Sequence, residues 1–244
     1  MITVVLLNYR RPDNIPIIVS ALRDQTVKAR LWLWNNSSTC IPNGVVDMQV
    51  VSDSNLGCWP RWFLASYVPS EFVLMLDDDI LPTSSCFLET ALKLINSQQS
   101  PRTLVGSEGV VLGRPNQYWP SYSGRLTRDS PEADRGTVHL KSVVRDTHVD
   151  IVKGRCVVVR VASLRSLPMS PPHRDMCDDI AVSLLLADGN PRVHLVAASL
   201  GQMLQDLPDR APDVALSHRT DWRKIRNSAT AHYTGIGAEG AGPQ

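Results

Sequence analysis

Phe72-Val73-Leu74-Met75-Leu76-Asp77-Asp78-Asp79 carries the most apolar run of the chain straight into three consecutive acids. Five apolar residues bounded by a polar cluster are the length and composition of a buried strand. Ligands of open α/β sheets collect at the carboxyl ends of strands, which is where these acids fall. Adjacent carboxylates repel one another, and an oxygen-seeking cation such as manganese or magnesium relieves the repulsion while bridging to a diphosphate. On extended backbone Asp77 and Asp79 point one way and Asp78 the other, so one side can meet a ribose and the other a metal. The same triplet also reads as a solvated acidic turn before the helix that begins near Ser84.

Upstream, short apolar runs alternate with amphipathic stretches. Ile2 to Leu7 is a first strand, broken by Arg11-Pro12-Asp13-Asn14. Ile15, Ile18, Val19 and Leu22 then recur at helical spacing, with Asp13 or Asn14 as the cap. Leu31 to Trp34 is a second strand ending in the turn-rich Asn35-Asn36-Ser37-Ser38, and Val45 to Val51 a third. A helix spans Trp59 to Tyr67 after the Asn55-Leu56-Gly57 turn, and another spans Ser84 to Asn96. This order is that of an α/β domain with a mostly parallel central sheet flanked by helices.

From Gly106 the pattern loosens. Gly, Pro, Tyr and Trp crowd the segment to Gly124, and a charged stretch follows from Arg125 to Arg135. Val149 to Val152 and Cys156 to Val159 read as a strand pair around Gly154, followed by a helix from Asp179 to Ala187 and a strand from Val193 to Ala197. A further helix runs from Trp222 to Tyr233. The expected organisation is a nucleotide-binding half over residues 1–105, an acceptor-binding and catalytic half over 106–234, and a Gly/Ala tail to Gln244.

The 244 residues are enough for one such domain, and 43% apolar with 20% charged residues is ordinary for a globular chain. A net charge of +1 supplies no global field for a phosphate backbone, which argues against a general nucleic-acid binder. The five cysteines are odd in number and lack the close pairs of a zinc site, so free thiols are expected. The apolar N-terminus is too short for a membrane span and has no basic region before it, which reads as a core strand and points to a cytoplasmic protein.

Other polar groups stand where the strands end. Arg11 offers a fork to phosphate, Asn36 paired donor and acceptor groups to a uracil edge, and Asn55 and Arg61 an amide and a guanidinium to ribose or diphosphate. Each taken alone is also an ordinary surface residue. Asp178 and Asp179 open an apolar helix, where acids suit the helix dipole regardless of function. They are equally placed to face a reacting sugar or an acceptor hydroxyl. The basic run from Leu216 to Arg226 is either a solvated helix face or a cover over a leaving diphosphate. Tyr118, Trp119 and Tyr122 are candidates to stack on sugar rings, or simple packing.

Four blocks, Asn8-Tyr9-Arg10-Arg11 with Asp13, Leu33-Trp34-Asn35-Asn36, Leu76-Asp77-Asp78-Asp79 and Cys177-Asp178-Asp179-Ile180-Ala181, occur in an order and spacing that resemble the GT-A glycosyltransferases. More specifically they resemble the C-terminal catalytic domain of the exostosin family (glycosyltransferase family 64), retaining enzymes that use UDP-sugars and manganese. The resemblance implies that Arg11, Asn36, Asn55 and Arg61 contact the nucleotide, and that Asp77 and Asp78 hold the ribose side. Asp79 and Asp77 would bind Mn2+ or Mg2+. It also implies catalytic roles for Asp179, with Asp178 beside it, and for Arg226, which looks like the family's active-site arginine near the diphosphate.

The chain departs from that pattern twice. Arg61 stands one residue out of the family's spacing after Asn55. Cys177, whose counterpart in lumenal members pairs with a cysteine three residues after the active-site arginine, here faces Ala229, so no such disulfide is expected. That departure favours a reducing compartment and a microbial or viral protein.

The resemblance implies a transferase moving an N-acetylhexosamine or hexose from a UDP-sugar to a hydroxyl on a glycan, protein or other acceptor, a modified nucleobase included. An inverting GT-A enzyme with Asp178 or Asp179 as general base is the nearest rival. A non-catalytic nucleotide-sugar binder is the more distant one.

Overall fold

The computed structural model describes residues 1–37, 41–113, 117–119, 137–141, 143–168, 176–208 and 221–235. Cys40, Tyr122, the charged stretch from Arg125 to Arg135, the Leu216 to Thr220 part of the basic run and the tail after Gly235 lie outside the described residues.

The first half folds as β1 (Ile2–Asn8), α1 (Asn14–Arg23), β2 (Ala29–Asn35), β3 (Met48–Val51), α2 (Trp59–Tyr67), β4 (Phe72–Asp77), β5 (Ile80–Pro82) and α3 (Phe87–Asn96). Then come β6 (Val105–Gly106), β7 (Gly109–Val111), β8 (Val138–Leu140), β9 (Thr147–Val149), β10 (Ile151–Val152), β11 (Cys156–Arg160) and α4 (Val161–Arg165). The chain continues through α5 (Asp178–Ala187), β12 (His194–Val196), α6 (Ala198–Gln202), β13 (Leu204–Asp206) and α7 (Trp222–Thr234).

One eight-stranded sheet, ordered β3-β2-β1-β4-β11-β6-β12-β9, runs through the domain. From β3 to β4 it is parallel, with Leu6 of β1 beside both Leu33 and Leu76. Its strands alternate between two cores. Ile2, Val4 and Leu6 of β1 with Leu74 and Leu76 of β4 face the helices α1 and α3, while Val5, Val73 and Met75 face α2, α4 and α5. Both faces of the sheet are therefore covered, which is why the central strands read as continuous apolar runs rather than as alternation. The architecture is the expected α/β one with a large central sheet.

One pairing differs from the sequence reading. The Val149 to Val152 and Cys156 to Val159 segments do not pair with each other. β11 inserts antiparallel between β4 and β6, β9 joins β12 at the sheet edge, and β10 pairs with β7 in a separate three-stranded sheet. Partner choice between strands is a long-range matter of which edge is free, and local periodicity carries no trace of it. The consequence is functional: an antiparallel neighbour of β4 begins where β4 ends, so Lys153, Gly154 and Arg155, just ahead of β11, arrive beside Asp77.

A third, smaller cluster joins Cys177 and Ile180 to Ala229 of α7 and to Tyr118. Cys177 and Ala229 are both buried there, and among the described residues Cys58, Cys86, Cys156 and Cys177 form no disulfide. No helix among the described residues is long and apolar enough to cross a membrane.

Candidate active site

A cleft of about 570 Å3 opens over the carboxyl ends of β1 and β4. Asp77, the last residue of β4, and the turn residues Asp78 and Asp79 form part of its wall. Facing them are the acids that open α5, Asp178 and Asp179, together with Arg226 of α7. The two acidic constellations, a hundred residues apart in sequence, thus share one cavity.

Asp78 ties the three aspartates to the end of β1. Its carboxylate accepts from the Tyr9 backbone N–H at 2.7 Å and from Arg11 Nη1 at 2.8 Å, and its carbonyl accepts from Asn14 Nδ2 at 2.9 Å. Arg10, between the first two donors, holds φ at +61°, a left-handed conformation that costs a non-glycine residue about 1–2 kcal/mol. That bend sits between the amide of Tyr9 and the guanidinium of Arg11, which meet the same carboxylate. Burial pushes the Asp78 carboxyl up to about 6, against the pull of the Tyr9 amide and Arg11.

Asp77 meets Arg61 of α2. Arg61 is only 3% exposed and spends its whole fork on the protein. Nη1 donates to Asp77 Oδ1 and to the carbonyl of Gly154 (3.0 Å), while Nε and Nη2 donate to Asp178 Oδ2 at 3.2 and 2.8 Å. The indole N–H of Trp62 adds a third donor to that Asp178 oxygen at 2.7 Å. Burial alone pulls the Arg61 guanidinium down, but Asp178 and Asp77 outweigh it and hold it firmly charged. A Cβ on Gly154 would sit 2.1 Å from Arg61 Nη2, so only glycine lets the arginine through. Burial, with Asp79 and Asp78 adding to it, pushes the Asp77 carboxyl up to about 7 despite Arg61.

Asp79 is the least satisfied of the triplet. Its Oδ1 is buried and accepts no hydrogen bond among the described residues; Arg155 Nη2 stands 3.8 Å from it, and Arg11 Nη1 3.9 Å from Oδ2. A part-buried carboxylate held against its own tendency to ionise, next to an orphaned carboxylate oxygen, is a donor set that fits a hard divalent cation. Among the described residues no group of three or more His, Cys, Asp or Glu side chains is placed to hold a metal ion by itself. Manganese and magnesium do not require one when phosphate oxygens complete the shell.

On the opposite side Asp179 accepts from its own helix at Ile180 N (2.9 Å) and from Arg226 Nη2 (2.7 Å). Arg226 is 3% exposed, donates also to the Met176 carbonyl at 2.7 Å, and lies over the rings of Tyr118 (4.0 Å) and Trp222 (4.6 Å). Met176 has φ of +56°, a second left-handed residue at the site. The aromatics are thus engaged with cations. Trp119 is stacked on His139 at 4.0 Å and 16°, and Arg223 covers its ring at 5.4 Å.

Of the residues singled out in the sequence, Arg11, Arg61, Asp77, Asp78, Asp79, Asp178, Asp179, Arg226, Tyr118 and Trp119 all line the cleft. Asn36 and Asn55 do not. Asn36 is buried and internally satisfied: its amide oxygen accepts from Trp34 Nε1, Ser52 Oγ and Leu56 N, and its nitrogen donates to the Gly57 carbonyl. Asn55 is exposed and closes the same turn by accepting from Gly57 N at 2.9 Å. Both shape the loop that leads into α2.

Residues that sequence reasoning passed over are Glu108, Lys153, Arg155 and His139. Glu108 is 8% exposed and binds Lys153 at 3.1 Å and Arg155 at 2.8 Å, while Arg155 also reaches Asp206 at 2.5 Å. No local signal marks them: Lys153 and Arg155 are placed by the antiparallel insertion of β11, and His139 by the pairing of β8 with β7.

No protein-family model matches this sequence, and no curated protein is significantly similar to it. Solved structures are similar in fold. A mannosyltransferase from Pyrobaculum calidifontis, in complex with GDP-mannose and Mn2+, aligns over 99% of this chain at 16% identity with a TM-score of 0.56. This chain covers 65% of that protein, under two thirds of its length. Glucosyl-3-phosphoglycerate synthase from Mycobacterium tuberculosis, with Mn2+, UDP and glucosyl-3-phosphoglycerate, aligns over all of this chain and 83% of its own at 14% identity and a TM-score of 0.59. A further mycobacterial protein gives a TM-score of 0.61 at 14% identity over the whole chain and 77% of its own length. These similarities are of fold alone: this chain has the GT-A fold.

Proposed function

We propose that the chain is a metal-dependent glycosyltransferase that moves a sugar from a nucleoside diphosphate donor, a UDP-sugar, to an acceptor hydroxyl. The observation that carries the reading is the cleft that sets Asp77, Asp78 and Asp79 opposite the buried Asp179–Arg226 pair. Its support from outside is the GT-A fold, shared with proteins solved with Mn2+ and GDP-mannose or UDP. Residues 1–105 supply the donor end and residues 106–234 the acceptor end.

Asp79 and Asp77 are the residues to hold Mn2+ or Mg2+, with Asp78 and Arg11 beside them toward the ribose and diphosphate. The ion supplies charge neutralisation for the diphosphate. We assign Asn36 and Asn55 the shaping of the base end, through the turn they close. Arg226, charged and buried, stabilises negative charge developing on the leaving group.

In the transfer the bond from the sugar C1 to the diphosphate oxygen breaks and a bond from the acceptor oxygen to C1 forms. The hydroxyl proton passes to the departing phosphate oxygen, and UDP leaves. Asp179, with Asp178 behind it, lies near the positive charge that builds on the sugar ring. The choice of a front-side, retaining course, as in the exostosin-like reading, is supported by the engagement of both acids. Asp178 Oδ2 accepts from Arg61 and Trp62, and Asp179 from Arg226, so neither is held out as a free general base.

The test is incubation of the full chain with UDP-glucose and UDP-N-acetylglucosamine, each with Mn2+. Metal-dependent release of UDP that disappears in Asp179→Asn is expected. NMR of the transferred anomeric proton then reads the stereochemistry, and an inverted product would reject the retaining course while leaving the transferase reading intact.

A further inference from the structure

Among the described residues three buried polar atoms have no hydrogen-bond partner, Asp79 Oδ1, Trp119 Nε1 and Arg226 Nε, and all three belong to residues of the cleft wall. They differ in kind. The first is an acceptor at the end assigned to the metal, and the other two are donors. A buried donor without an acceptor is an unmet hydrogen-bonding group.

The contacts run in series along the cleft: Asp77 to Arg61, Arg61 to Asp178, Asp179 to Arg226, Arg226 over Tyr118, Tyr118 against Trp119, and Trp119 under Arg223. Arg223 and Trp119 are thus linked to Arg226 through Tyr118, and among the described residues neither makes a hydrogen bond, ion pair or ring contact with the aspartate triplet. The charges also change character along this line. Arg11, Arg61, Lys153, Arg155 and Arg226 each meet a carboxylate. Arg223 and Lys141, both exposed on the cleft wall, form no ion pair among the described residues. Trp222 and Arg223 are the first residues of α7, so the positive end of that helix also looks into this region.

A ring face is the usual offer of a tryptophan to a neutral sugar. Here His139 stacks on Trp119 and Arg223 covers it, so the ring faces are taken, and the buried indole N–H has no hydrogen-bond partner among the described residues. Burial pushes His139 down to about 4, so it adds no charge of its own near neutral pH.

We propose that the aromatic end of the cleft binds an acceptor carrying a negative charge, a phosphate or carboxylate on a small polyol or sugar, held by Arg223, Lys141 and the Trp119 N–H. The inference rests on the transferase reading and narrows its acceptor. An uncharged acceptor would leave two cations without counter-charge as the cleft fills. An anionic one answers both cations and the buried donor at once.

The experiment is calorimetric titration of the full chain, saturated with Mn2+ and UDP, with glycerol 3-phosphate and glucuronate, and with glycerol and methyl glucoside as their uncharged counterparts. One or both anions are expected to bind about tenfold or more tighter than the neutral partner, and the preference is expected to shrink at high salt. Which anion wins tells phosphate from carboxylate. Arg223→Gln combined with Lys141→Gln is expected to abolish the preference, with Mn2+ and UDP binding of the same variant reporting that the fold and donor end are intact. Equal binding of charged and neutral probes, or a preference that survives the double substitution, overturns the anionic acceptor alone. Failure of UDP to bind with Mn2+ in the first step overturns the transferase reading and this inference with it.

Discussion

Replacing Arg61 with methionine keeps most of its volume and removes the one cation shared by Asp77, Asp178 and the Gly154 carbonyl. Removing one partner of a buried ion pair costs about 3–5 kcal/mol, because the other charge stays buried without compensation. Arg61 is 3% exposed, so water cannot replace it. In a domain of this size each kcal/mol lowers the melting temperature by about 2–4 °C, so the fall expected for Arg61→Met is about 6–20 °C. Thermal unfolding followed by circular dichroism measures it. Mn2+ should raise the melting point of Arg61→Met more than that of the unaltered chain, since a cation near Asp77 takes over part of the missing charge. Arg61→Lys should fall between, retaining charge but losing the fork that reaches three acceptors. A variant that melts within about 3 °C of the parent, or one that keeps its stability and loses only UDP affinity, would refute the structural role of the Arg61 contacts to Asp77, Asp178 and Gly154 and return Arg61 to the donor.

Gly154→Ala should act through the same contact, since its Cβ would meet Arg61 Nη2 at 2.1 Å; a loss of about 1–3 kcal/mol by denaturant titration is expected, and a neutral result would contradict the close approach. Trp62→Phe removes the indole donor to Asp178, a hydrogen bond to a charged group worth about 1.5–3 kcal/mol, and should lower stability by that amount with little change in Mn2+ affinity. The raised Asp77 pKa has a definite sign. Its folded value of about 7 lies above the ordinary 3.8, so the metal-free fold holds more protons than the unfolded chain between those values and loses stability as pH rises through them. Metal-free melting temperature should therefore climb as pH falls from above 7 toward 5, whereas Mn2+ affinity should drop by about tenfold per pH unit below 7 as protons compete for the carboxylate. A pH-independent Mn2+ affinity across that window would contradict the ligand role of Asp77. Arg226→Ala should lower transfer by about a hundredfold or more with UDP and Mn2+ binding largely kept, a split read by comparing single-turnover rates with calorimetry.

The parallel half of the sheet was legible because each strand and helix announces itself locally: α2 spans the residues its amphipathic pattern predicts, and β4 runs into its acids as quoted. Most candidate site residues were legible for the same reason, since strand ends and helix starts can be located from sequence and the fold rule brings them to one edge. Partner choice was not. The guanidinium of Arg61 and the amide of Asn36 looked free to meet a nucleotide. Nothing in their neighbourhoods showed that Asp178, 117 residues away, would capture one, or that Ser52 and the Leu56-Gly57 turn would capture the other. Arg155 was invisible for a topological reason, because only the antiparallel insertion of β11 beside β4 carries it to Asp79.

The central claim is that Asp77, Asp78 and Asp79 form a metal-dependent site for a nucleoside diphosphate, and calorimetric titration of UDP into the full chain with and without Mn2+ tests it most directly. Binding that requires Mn2+ and is lost in Asp79→Asn is the predicted result. UDP that fails to bind in the presence of Mn2+, or binds equally well without it, contradicts the account.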